Sequence, residues 1–158
     1  MPRGLSDLQK RVLAMALERR RGRDLDAERL EGERLIAKYG FGPEHYRAAP
    51  DVYHPEMLAQ LWGFPTTTPL PAERAARWGE NQTPPRWYGH YFDRDAIGRA
   101  EYNRATTTLW RTVARLEARG LVLRASYRKP GVLLTDEGLR AAETLSAATP
   151  PPLHSFNR

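Results

Sequence analysis

A chain of 158 residues is long enough for one domain with its own core, or for one domain carrying a substantial insertion. It has no cysteine, which excludes a disulfide framework, a thiolate metal site and a thiol nucleophile. No apolar run approaches the roughly 18 residues of a membrane span. The net charge of +6 is localised: eight basic and two acidic residues lie between Arg99 and Gly131, and the remaining 17 bases and 17 acids cancel. A charge excess confined to one stretch points to a polyanionic partner. The opening MPRGLSDLQKR lacks the apolar core of a secretion signal, so a cytoplasmic, nucleoid-associated protein is expected.

The first element expected is a helix over Ser6–Arg21. Ser6 is a favourable N-cap, Gln9 completes a capping box, and Asp7 complements the helix dipole. Leu8, Val12, Met15 and Ala16 recur at helical spacing, and Gly22 stops the run. Arg19, Arg20 and Arg21 read as a solvated helix end, with a phosphate contact as the less favoured reading. Asp26–Lys38 reads as a second helix with a weak apolar face (Leu30, Ile36, Ala37), and Pro55–Trp62 as a short third one with Pro55 in its first turn. Phe64–Gly98 is a long connection rich in proline (Pro65, Pro69, Pro71, Pro84, Pro85) and aromatics (Trp78, Trp87, Tyr88, Tyr91, Phe92). Such a loop is uncommon in a compact domain, and its aromatic content predicts packing on the body or on a second subunit. Trp62, Trp78 and Trp87 are expected in core or interface positions.

Arg99–Arg119 is the most regular element, a long helix ended by Gly120. Strand-like runs at Leu121–Ser126 and Val132–Thr135 flank the turn Tyr127-Arg128-Lys129-Pro130-Gly131. Thr135 then caps a last helix, Asp136–Leu145, and 146–158, with three consecutive prolines, is expected to be a disordered tail. The fold class expected is mainly α with a small β-hairpin: a single winged helix-turn-helix domain over 1–145, with 23–98 as a long insertion before the recognition helix.

The long helix has two faces. Tyr102, Ala105, Leu109, Val113 and Leu116 make a buried stripe, and Arg104, Thr107, Thr108, Arg111 and Arg115 share the opposite surface. A helix fits the DNA major groove when one face packs on a core and the other carries short polar and basic side chains. Arg128 and Lys129 at the hairpin tip fall where a wing reaches the neighbouring groove, and Arg124 is either a phosphate contact or a partner for Glu117.

The run TTLWRTVARLEARGLVLR, Thr107 to Arg124, followed by GVLLTDEGLR, Gly131 to Arg140, resembles the winged-helix half of MarR-like and PadR-like transcription regulators. Thr107 and Thr108 fall on the family's small hydroxyl positions and Arg111 on its arginine. Arg115-Leu116-Glu117, Gly120-Leu121-Val122 and Leu134-Thr135-Asp136-Glu137-Gly138 match the following segments. The resemblance covers 98–145 and implies double-stranded DNA binding, transcription regulation and a homodimer. Trp110 departs from the family, which usually has Ser or Thr there. Its indole is either a DNA contact, on a sugar or thymine methyl, or an internal one. The DNA-contacting set expected is therefore Arg104, Thr107, Thr108, Trp110, Arg111, Arg115, Arg124, Arg128 and Lys129.

No enzyme is expected. P-loop, GxSxG, GxGxxG and HExxH patterns are absent, and no cofactor is implied. His90, Asp93 and Asp95 are close in sequence and could hold a divalent ion for phosphodiester chemistry, a remote reading. The alternative function is a non-enzymatic module, a winged-helix scaffold docking on a polymerase or replication component through its aromatic insertion.

Overall fold

The computed structural model describes residues 4–67, 91–127 and 129–148, which form a mainly helical fold with a small three-stranded antiparallel sheet. In chain order these are helix α1 (Asp7–Arg21), α2 (Leu25–Ala37), a 3-10 turn (Pro43–His45), β1 (Val52–Tyr53), α3 (His54–Trp62), β2 (Thr66–Thr67), β3 (Tyr91–Phe92), α4 (Arg94–Ile97), α5 (Arg99–Ala118), β4 (Val122–Tyr127), β5 (Lys129–Leu134) and α6 (Asp136–Ala148).

α1 begins as its sequence predicts. Ser6 Oγ accepts from the Gln9 amide at 3.2 Å, and Gln9 Oε1 accepts from the Ser6 amide at 2.8 Å. Its apolar face (Val12, Leu13, Ala16, Leu17) meets Met57 of α3, Leu109, Val113 and Leu116 of α5, Val122 and Val132 of the sheet and Ala142 of α6 in one core. Of the three arginines at its end only Arg21 is solvent-exposed as expected; Arg19 and Arg20 are engaged. Arg19 pairs with the buried Glu56 at 3.0 Å, and Arg20 grips Asp51 with two contacts of 2.8 Å. Arg23 adds a third contact to Asp51 at 2.7 Å and binds Glu28 of α2.

The sheet order is β1-β5-β4, so the hairpin's second strand is central. β1 is an element the sequence reading missed, because two residues are too few to show alternation. Its partner explains Gly131, which pairs with Tyr53 on one side and Ala125 on the other. A side chain there would collide with the Val52 carbonyl and the Pro50 ring. The expected five-residue turn is therefore corrected: Lys129, Pro130 and Gly131 are ladder residues, and Tyr127 pairs with Lys129 across residue 128.

α5 ends in a Schellman motif. Gly120 adopts φ +75°, its amide bonds the Glu117 carbonyl at 2.9 Å, and the Leu121 amide bonds Leu116 at 3.0 Å. This turn aims the chain into β4. At the far end of the hairpin Thr135 Oγ1 donates to the Gly120 carbonyl at 2.6 Å and accepts from the Gly138 amide at 3.0 Å. Thr135→Ala removes the α6 cap and the tie to the end of α5 together, so a loss of about 1–2 kcal/mol is expected in urea unfolding. A loss no larger than that of an exposed Thr144→Ala control would refute this role.

Between α3 and α5 the chain leaves and returns through the two-stranded pair β2–β3, in which Thr66 faces Phe92 and Thr67 faces Tyr91. Phe64, Phe92 and Tyr102 anchor its base, with ring centroids 5.8 to 6.3 Å apart. The connection thus packs on the body at its described ends; Trp78, Trp87 and the intervening prolines lie outside the described residues. α6 runs to Ala148, three residues past the expected end at Leu145. No helix among the described residues is long and apolar enough to cross a membrane.

Candidate nucleic-acid interface

α5 is held on one side only. Ala105, Leu109, Thr112, Val113 and Leu116 are buried, which fixes the rotation of the helix about its axis. At 3.6 residues per turn Arg104, Thr107, Thr108, Arg111 and Arg115 then fall within about 100° of arc on the opposite side. All five are exposed. None of the three arginines has an ion-pair partner among the described residues. The neighbouring hydroxyls of Thr106 and Thr112 are satisfied internally, by the Tyr102 carbonyl at 2.9 Å and the Thr108 carbonyl at 2.8 Å. The side chains of Thr107 and Thr108 are left facing solvent.

Trp110 sits at the flank of this face and is 37% exposed. One side of its indole meets the buried His54 ring edge-on at 4.5 Å, and the Arg124 guanidinium lies 5.4 Å from its centre. Trp110 therefore makes internal contacts, to the first residue of α3 and to β4. Arg124 is also engaged with Glu117. Its Nε is 3.3 Å from Glu117 Oε1, and its amide donates to Glu117 Oε2 at 3.3 Å. Burial, with the Arg124 charge adding to it, pushes the His54 pKa down to about 4. Sequence reasoning missed His54; its position directly before the α3 proline was the available signal, and nothing in the spacing connects it to Trp110, 56 residues later.

Arg128 and the Lys129 side chain lie outside the described residues, as does His90. Asp93 and Asp95 are engaged locally. Asp93 caps α4 by accepting from the amides of Asp95 and Ala96 at 3.1 Å, and Asp95 pairs with Arg99 at 2.6 Å. Among the described residues no three metal-binding side chains converge.

The candidate interface is thus a 20-residue helix whose one face carries three arginines and two threonines without side-chain partners among the described residues, bounded by an indole in contact with His54 and Arg124. Such a face presents donors and positive charge at spacings of one helical turn, suited to phosphate oxygens and base edges. No protein-family model, curated protein or solved structure matches the chain.

Proposed function

We propose that this chain binds double-stranded DNA as a sequence-specific transcription regulator, with α5 in the major groove and the β4–β5 hairpin as a wing beside it. The order α1, β1, α3, α5, β4, β5, α6 and the strand order β1-β5-β4 support a winged helix with one insertion before β1 and a second before α5. The observation that carries the reading is the unpaired Arg104, Arg111 and Arg115 beside Thr107 and Thr108, on the one face of α5 that the core leaves open.

In this reading phosphate neutralisation supplies most of the affinity. The short threonines let the α5 backbone approach, and Arg104, Thr108 and Arg111 reach the base edges. Trp110, braced by His54 and Arg124, marks the limit of helix insertion. Arg124, shared with Glu117, contributes less than the unpaired arginines. A homodimer reading two half-sites supplies the specificity that one helix lacks.

Fluorescence anisotropy with a random 30-base-pair duplex at several salt concentrations tests the proposal. Micromolar binding with a steep salt slope is expected, largely lost in an Arg104/Arg111/Arg115 triple-alanine variant. No binding at low salt overturns the reading. On a selected site, Arg111→Ala should cost about 1–3 kcal/mol if it reads a base. An equal loss on every duplex makes it a phosphate contact instead.

A further inference from the structure

Trp110 and Glu117 are seven residues apart on α5, so two helical turns bring them to the same flank, about 10 Å apart along the axis. β4 supplies the side chain between them. Val122 and Arg124 point to the same side of the strand, toward α5. Val122 enters the core, and Arg124, two residues on, lies along the helix flank. Its guanidinium is 5.4 Å from the Trp110 ring centre, and its Nε is 3.3 Å from Glu117 Oε1. β4 is an edge strand in the order β1-β5-β4, and the Arg124 amide on its open side donates to Glu117 Oε2 at 3.3 Å. Two donors, one cationic and one from the backbone, thus converge on one carboxylate.

That convergence suits any oxyanion, because phosphate oxygens accept from guanidinium and backbone N–H groups alike. The carboxylate holds the place loosely. Both of its contacts are 3.3 Å long, against 2.7 to 3.0 Å for the carboxylate contacts of Arg19, Arg20 and Arg23. The Arg124 and Glu117 side chains are 44% and 40% exposed, and an ion pair so exposed adds little to stability. The ring contact is separate from the ion pair, so Trp110 keeps the guanidinium at the flank without the acid. An acid in this position works against a face whose other arginines wait for phosphate.

We propose that the Arg124 guanidinium and amide form a latent phosphate site beside the recognition face, and that Glu117 fills it in place of a DNA phosphate. The inference rests on the nucleic-acid reading of α5 and adds a restraint to it. A phosphate contact raises affinity for every sequence alike. Keeping this one closed lowers binding to random duplex and leaves Arg104, Thr108 and Arg111 free to read base edges.

Glu117→Gln tests the proposal, because the remaining oxygen still accepts from the Arg124 amide while the charge is gone. Anisotropy titrations on a random 30-base-pair duplex at several salt concentrations compare it with the wild type, and repeat the comparison in an Arg124→Ala background. One more cation on phosphate should steepen the log–log salt slope by about 0.9 and, near 0.1 M salt, tighten binding roughly fivefold to tenfold. In the Arg124→Ala background the same substitution should gain about twofold at most, the screened effect of a lost distant charge. An equal gain in both backgrounds makes Glu117 a distant charge only, and no gain beside Arg124 makes it no restraint. Either result overturns this inference while wild-type binding leaves the nucleic-acid reading standing. Failure of both the wild type and Glu117→Gln to bind at low salt overturns the two together.

Discussion

Replacing Asp51 with alanine is expected to lower stability by about 3–5 kcal/mol, the cost of removing one partner from a buried ionic cluster. Asp51 is fully buried, and its carboxylate accepts from Arg20 twice, from Arg23 and from the Leu134 amide, all within 2.7 to 2.8 Å. Its own amide bonds the Val132 carbonyl at 2.8 Å, and Arg20 reaches the Leu134 carbonyl at 2.9 Å. The variant leaves two largely buried guanidinium groups and a strand amide without their acceptor. Burial lowers the Arg23 pKa, but the hydrogen bonds and charges of Glu28 and Asp51 outweigh this and raise it. A guanidinium does not give up its proton in a protein, so the cation stays charged in the variant. Asp51→Asn keeps the shape and one acceptor oxygen, so a smaller loss is expected. Urea unfolding of the three proteins measures both. An Asp51→Ala loss under about 1 kcal/mol, the size of an exposed pair, would show that water already screens the cluster.

That cluster explains why part of the fold was legible in the sequence and part was not. The Ser6 cap, the Gly22 and Gly120 stops and the Thr135 cap act within a few residues of themselves, and α1, α5 and α6 start and stop close to where those signals place them. The buried stripe of α5 was equally readable, because its apolar spacing matches the helical period and the core accepts that period. β1 was not readable. It is fixed by Asp51 from α1 and β5, partners 31 and 83 residues away in sequence. Arg19 and Arg20 were misread for the same reason: a basic run at a helix end reads as solvated until Glu56 and Asp51 are brought to it. Gly131 read as a turn residue because its actual constraint, the approach of β1, is a long-range one.

The candidate site divides the same way. Its exposed face follows from the stripe opposite and needs no tertiary information. The direction in which Trp110 and Arg124 point depends on His54 and Glu117, so the sequence left both choices open. The structure gives both side chains internal partners, which leaves Arg104, Arg111 and Arg115 as the unneutralised charges on the described part of the face. Three arginines without an ion-pair partner among the described residues keep their charge available to an incoming anion. Arg19, Arg20 and Arg23, by contrast, are engaged with Glu56 and Asp51 of the body.

His54 yields the second large effect, a stability loss on acidification. Its pKa is about 4 in the folded chain, against an ordinary value near 6.5, because burial under Trp110 and the nearby Arg124 disfavour the imidazolium. The unfolded chain therefore binds a proton that the folded chain refuses between these two values. The stabilisation is fully present above pH 6.5 and is lost as the pH falls toward 4, by about 3 kcal/mol at most. Carboxylates titrate in the lower part of the same range, so the wild type alone does not isolate the effect. His54→Gln keeps a polar side chain of similar length, cannot take the proton, and leaves every carboxylate in place. Unfolding free energies at pH 7.5 and pH 4.5 should differ more in the wild type than in the variant, by most of that amount. Equal pH dependence in the two proteins would mean that His54 is protonated in the folded chain as readily as in the unfolded one. The Trp110 flank of α5 would then rest on a solvated ring and could not serve as the fixed limit to insertion proposed for it.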